Sequence, residues 1–143
     1  MIAIIDYGAG NLFSVKNALD FLKVPSVVAC EPAALESADA LILPGVGAFP
    51  DAMKRLEKSG LVSVIREQAA QKPLLGICLG MQLLCEKGLE FTETEGLGLL
   101  EGTVKRIDAG GMKIPHMGWN DLTVQKPCAL TADTKNGDYV YFV

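Results

Sequence analysis

A chain of 143 residues, half of them apolar and 21% charged, is long enough for one domain with a packed core. Its net charge of −4 comes from 13 basic and 17 acidic side chains with no block of one sign, which argues against nucleic acid or an anionic membrane as partner. No apolar run reaches the ~18 residues of a membrane span, and Met1–Asp6 turns acidic without a basic leader region, so a cytoplasmic protein is expected.

Short apolar runs alternate with helix-like segments through the first half. Met1–Asp6 reads as a strand that ends in the turn Tyr7-Gly-Ala-Gly10. Asn11 suits an N-cap, because Leu12, Val15, Leu19 and Leu22 follow at three- and four-residue spacing. Pro25 is expected to close that helix. Ser26–Cys30 reads as a second strand, Pro32–Ser37 as a short helix and Ala40–Leu43 as a third strand. Pro44-Gly-Val-Gly47 breaks the pattern before a helix starting near Pro50, and a further helix is expected from Leu61 to about Gln71. Leu74–Ile77 is the next strand. Such alternation implies βαβ units and an α/β domain with a mostly parallel central sheet flanked by helices. The near-continuous apolarity of Ile2–Ile5 and Leu41–Leu43 fits strands covered on both faces.

After about Gly88 the glycines multiply, and the pieces Thr103–Ile107 and Leu122–Gln125 read as hairpin strands attached to the sheet. Tyr139–Val143 is a strong strand former. A domain seldom ends inside a strand, so the chain is expected to continue in its parent, with residues 1–143 forming a single domain that lacks its C-terminal portion.

Four cysteines, Cys30, Cys78, Cys85 and Cys128, show no C-x-x-C spacing, and His116 is the only histidine. That set offers no metal-ligand pattern, and neither metal nor cofactor is expected. Cys30, Cys85 and Cys128 are expected to pack as small hydrophobes. Cys78 differs. In Gly76-Ile-Cys-Leu-Gly80 it follows an apolar strand and precedes a helix-compatible segment, the G-x-C-x-G form of a nucleophile elbow. Backbone N–H groups at the start of the following helix favour a thiolate there. The same groups, that of Leu79 first, suit an oxyanion formed on an attacked carbonyl. An ordinary buried cysteine in a strand–helix turn is the competing reading. Pro44-Gly-Val-Gly47, at the end of another parallel strand, is expected at the same sheet edge, where a glycine-bracketed peptide would complete an oxyanion hole. On its own, that turn is equally a plain loop.

With these residues in view, Gly76-Ile-Cys-Leu-Gly-Met-Gln82 resembles the elbow of class I glutamine amidotransferases, a flavodoxin-like α/β family. Asp6-Tyr-Gly-Ala-Gly-Asn11, Pro44-Gly-Val-Gly-Ala-Phe49 and Pro115-His-Met-Gly-Trp-Asn120 together resemble one branch of it, the glutaminase subunits of imidazole glycerol phosphate synthase in histidine biosynthesis. The resemblance implies that Cys78 attacks the side-chain amide of glutamine, with Leu79 and the Val46–Gly47 peptide holding the oxyanion and Gln82 contacting the substrate. It also implies a (β/α)8-barrel cyclase subunit that receives the ammonia, with Asn11 and Trp119 near that partner. By composition alone Trp119 is a core residue and Asn11 a helix cap.

The family completes its triad with a His-Pro-Glu segment that would follow the equivalent of Tyr139–Val143. His116 lies instead in the Pro-His-Met-Gly-Trp-Asn stretch, which the resemblance assigns to structure or interface, and it is not taken as the base. The 143-residue chain is therefore expected to be catalytically incomplete, since losing a triad base costs orders of magnitude in rate. Two alternatives stay open: the glutaminase of another class I amidotransferase, and a non-catalytic binding module built on the same scaffold.

Overall fold

A computed structural model describes residues 1–143, which form two compact units, Met1–Arg106 and Ile107–Val143. In the first unit, strands β1 (Ile2–Ile5), β2 (Ser26–Ala29), β3 (Ala40–Gly45) and β4 (Leu74–Cys78) make a parallel sheet in the order β2-β1-β3-β4. That is the flavodoxin-like order, with the crossovers made by helices α1 (Leu12–Phe21), α2 (Pro32–Ser37), α3 (Phe49–Ser59) and α4 (Val62–Ala69).

The sheet is covered on both sides, as the apolar runs of β1 and β3 imply. Ala3, Ile5, Leu41 and Leu43 pack with Phe49, Met53, Leu56 and Ile65 from α3 and α4. Ile4 and Ile42 meet Leu19 of α1 on the opposite face. Adjacent strand residues point to opposite faces, so Ile4 and Ile5 enter different layers. The outer strand β4 is less protected. Leu75 and Ile77 share the α1 side of the sheet but remain partly exposed, because α1 covers β1 and its neighbours only.

Local signals set the helix ends. The Asn11 side chain accepts from the Ser14 N–H at 3.1 Å, the cap expected from the sequence. Pro25 does not stop α1. The helix ends three residues earlier at Leu22, where Lys23 turns left-handed at φ 58°, Lys23 N–H reaches Asp20 O and Val24 N–H reaches Leu19 O. This is a Schellman closure without glycine. The C-terminal carbonyls of α2 are served from afar, by Lys72 Nζ donating to Leu35, Glu36 and Ala38 oxygens at 3.1, 2.8 and 2.7 Å.

A short helix α5 (Leu79–Leu83) follows β4 directly, and β5 (Cys85–Gly88), β6 (Thr94–Glu95) and β7 (Leu100–Val104) form a second sheet ordered β6-β5-β7. The glycine-rich region is thus only partly a hairpin: β5 and β6 pair antiparallel, whereas β5 and β7 run parallel. It also forms its own sheet instead of extending the first. Gly98 at φ 63° and the bonds from Leu99 and Leu100 N–H to Leu84 O bring the chain back beside α5 for that pairing.

In the second unit, β8 (Gly118–Asp121) pairs antiparallel with β9 (Tyr139–Phe142). The strand expected over Leu122–Gln125 lies one segment earlier, on Gly118-Trp-Asn-Asp121. Cross-strand partners decide this: Trp119 sits opposite Tyr141, with ring centroids 5.5 Å apart and edge-to-face. The cysteine expectation also fails. Cys30 and Cys128 are exposed and Cys85 is half-buried, since each stands at the end of an element or in a loop where no apolar layer covers it. No helix is long and apolar enough to cross a membrane.

Candidate active site

Cys78 closes β4 and serves as the N-cap of α5 with φ 55° and ψ −119°, a conformation in which a non-glycine residue is rarely held. Such strain costs of order 1–3 kcal/mol and persists only where the surroundings impose it. The flanking glycines are part of what imposes it. A Cβ on Gly76 would lie 2.4 Å from Met81 Cα, and one on Gly80 would lie 1.9 Å from Leu43 O. The first turn of α5 is therefore pressed against the ends of β3 and β4, and the thiol is turned outward and exposed.

The β3–β4 register sets Gly45 directly beside Cys78. Pro44-Gly-Val-Gly47 thus starts at the elbow's own level, and not merely at the same edge of the sheet. Pro44 and Gly45 are still strand residues and buried, while Val46 and Gly47 project as an exposed turn with Gly47 at φ 101°. Leu79 is buried at the start of α5, and Gln82, four residues after Cys78, is half-buried on the same short helix. Cys78, Leu79, Gln82, Val46 and Gly47 are thereby gathered at one end of β3 and β4. Asn11 caps α1 in the same unit and is exposed.

Trp119 and His116 belong to the second unit. Trp119 is 66% exposed despite its pairing with Tyr141, so it is not the core residue that composition suggests. His116 packs against Phe142, ring centroids 5.8 Å apart.

Three anchors hold the Pro-Gly-Val-Gly turn and its surroundings, and none has a local sequence signal. The buried Tyr7 hydroxyl donates to Pro44 O at 3.0 Å. Arg55 Nη1 on α3 donates to Gly8 O at 2.9 Å, tying down the β1–α1 loop. Phe49 N–H, first in α3, donates to Glu90 Oε2 at 2.8 Å and supplies the cap that Ala48 lacks. Between the two loops lies an open cavity of about 230 Å³ lined by Gly8, Ala9, Val46, Gly47, Asp51 and Arg55. It backs onto the turn, and Cys78 is not among its walls.

Burial pushes the Tyr7 hydroxyl up to about 12, against a smaller downward pull from Arg55. A group whose folded pKa lies above its ordinary 10.0 gives stability that is intact below pH 10.0 and lost as pH climbs through about 12. Tyr7→Phe should accordingly flatten the alkaline loss of stability across that window, measured by urea unfolding at fixed pH. Identical slopes for the two proteins would count against it. The other perturbed thiol or phenol is Cys128, lowered first by the Thr131 hydroxyl and then by the Thr131 and Leu130 N–H groups.

The family profile for glutamine amidotransferase class-I matches residues 3–143. The chain is 55% identical over its whole length to an imidazole glycerol phosphate synthase subunit HisH from Oceanobacillus iheyensis, covering 71% of that protein. It is 56% identical to HisH of Streptococcus mutans, covering 72% of it, and 53% identical to that of Aquifex aeolicus, where 98% of this chain covers 68% of the relative. A crystal structure of a glutamine amidotransferase shares the fold at TM-score 0.75 and 23% identity, over the whole of this chain and 71% of that one.

Proposed function

The chain belongs to the class I glutamine amidotransferase family, and from that premise we propose that it is the glutaminase subunit of imidazole glycerol phosphate synthase. It hydrolyses glutamine and delivers the ammonia to a cyclase subunit in histidine biosynthesis. The observation that carries the reading is identity above one half along the full chain to HisH subunits, with the cysteine elbow and the Pro-Gly-Val-Gly turn in register.

In the proposed chemistry, the Cys78 thiolate adds to the side-chain carbonyl carbon of glutamine, and the carbonyl oxygen becomes an oxyanion. Leu79 N–H and the Val46–Gly47 peptide donate to it as charge develops, where such donors contribute most to rate. The intermediate collapses with loss of the amide nitrogen, which takes up a proton and leaves as ammonia. A glutamyl thioester on Cys78 remains. Water adds to it, glutamate departs and the thiol is restored. Gln82, one helical turn beyond the nucleophile, contacts the bound glutamine. His116, packed against Phe142, is not assigned the role of base. The cyclase partner is taken to be a (β/α)8 barrel, and exposed Asn11 and Trp119 are the residues proposed to face it. A cytoplasmic location goes with this biosynthetic role.

Covalent labelling tests the assignment. A diazo-ketone analogue of glutamine should modify Cys78 in preference to Cys30, Cys85 and Cys128, and excess glutamine should protect it. Iodoacetamide, which needs only an accessible thiolate, should also take Cys128, whose thiol is the more acidic for its Thr131 contacts. Diazo-ketone labelling spread evenly over the cysteines, or led by Cys128, would defeat the glutaminase reading and favour a non-catalytic module.

A further inference from the structure

The Pro44-Gly-Val-Gly47 turn has a weakness built into its sequence. Proline offers no N–H, and two glycines leave the turn with wide conformational freedom. Neighbouring strands restrain it unequally. Along β3, Leu41 N–H bonds to Pro73 O on the β4 side, and successive residues alternate sides, so Ile42 and Pro44 direct their backbone groups toward β1. The pairing of β1 with β3 ends at Ile4 and Ile42. Pro44 O therefore faces β1's side one step beyond the last ladder pair, buried and without a strand to donate to it. The Tyr7 hydroxyl fills that vacancy at 3.0 Å. At the far end of the turn the next side-chain anchor is Glu90 on Phe49 N–H.

We propose that Tyr7 is a positioning residue for the oxyanion turn: by donating to the Pro44 carbonyl it fixes the plane from which the Val46–Gly47 peptide is aimed at the reacting carbonyl oxygen. This rests on the function proposed for the elbow. The ring of Tyr7 is buried in the main core, so Phe at this position preserves the packing and removes only the donor. A buried carbonyl left without a donor is costly, and the cheapest relief is rotation of the peptides after Pro44. The Tyr7 hydroxyl donates to the turn at Pro44 O. Its effect is confined to an interaction strongest in the transition state, and it lowers kcat rather than weakening ground-state binding.

The test is Tyr7→Phe in a subunit that carries the family's His-Pro-Glu segment, assembled with its cyclase partner. The kcat for glutamine should fall about tenfold with KM within about twofold, as expected for a displaced oxyanion donor. Alkylation of Cys78 by iodoacetamide, which forms no oxyanion, should keep its wild-type rate while labelling by the glutamine diazo-ketone slows. Amide exchange should quicken at residues 45–48 and stay unchanged in β1 and β4. Unchanged kcat in an active complex overturns the role of Tyr7 and leaves the glutaminase reading standing. A parallel fall in iodoacetamide alkylation also overturns it, because the damage would then be at the elbow itself. Absence of glutamine turnover in the wild-type complex overturns both.

Discussion

Cys78→Ala should abolish glutamine hydrolysis, lowering kcat by at least about 10⁴-fold in the cyclase complex of a subunit that carries the His-Pro-Glu segment. Folding should survive the change, because the thiol is exposed and bonds to nothing. The informative companion is Cys78→Gly. At φ 55° and ψ −119° a residue with a Cβ is strained, and glycine releases that strain. The glycine variant should therefore be as inactive as the alanine one, yet more stable than wild type by about 1 kcal/mol. Urea unfolding of the three proteins checks the order. If Cys78→Gly proves less stable than wild type, the elbow is not a place where the fold gives up stability for a well-aimed nucleophile.

Gly80→Ala should be the most disruptive single methyl addition in the chain. Its Cβ would lie 1.9 Å from Leu43 O, a backbone atom of a central strand that cannot step aside without breaking its own pairing. Overpacking of this kind costs 3 kcal/mol or more, roughly, a large share of the stability of a small domain. The expected result is an insoluble or partly unfolded protein. Gly47→Ala makes the contrast, with nothing within 4 Å of the added atom and only the φ of 101° to oppose it. That variant should fold, losing about 1 kcal/mol. A Gly80→Ala protein as stable as Gly47→Ala would mean that α5 does not press on the strand ends.

The two glycines of the elbow show how far local pattern carries. G-x-C-x-G after an apolar strand already says that Cβ atoms are unwelcome on either side of the cysteine, and the Met81 and Leu43 approaches supply the atoms responsible. Asn11 and the short helix Pro32–Ser37 were equally legible, because a cap and an N1 proline act within a few residues of themselves. Pro25 misleads for the opposite reason. Proline is a reliable breaker only if nothing ends the helix sooner, and the left-handed turn at Lys23 did so without the glycine that would have announced it. Leu122–Gln125 has the alternation of a strand, but strand choice in a two-stranded pair belongs to the partner. Tyr141 selects Trp119.

The sequence by itself determined the order of strands and helices as far as Cys78, the strand–cysteine–helix elbow and, through four motifs, the family. These depend on residues near one another along the chain, where backbone geometry and hydrophobic period leave a readable trace. Tertiary structure alone decided what stands beside Cys78 and what steadies it. The Gly45–Cys78 register, the Tyr7 hydroxyl on Pro44 O and the Glu90 cap on Phe49 join residues 33, 37 and 41 positions apart. Such partners are chosen by how the strands stack and where β1 runs out, and no local spacing encodes that choice.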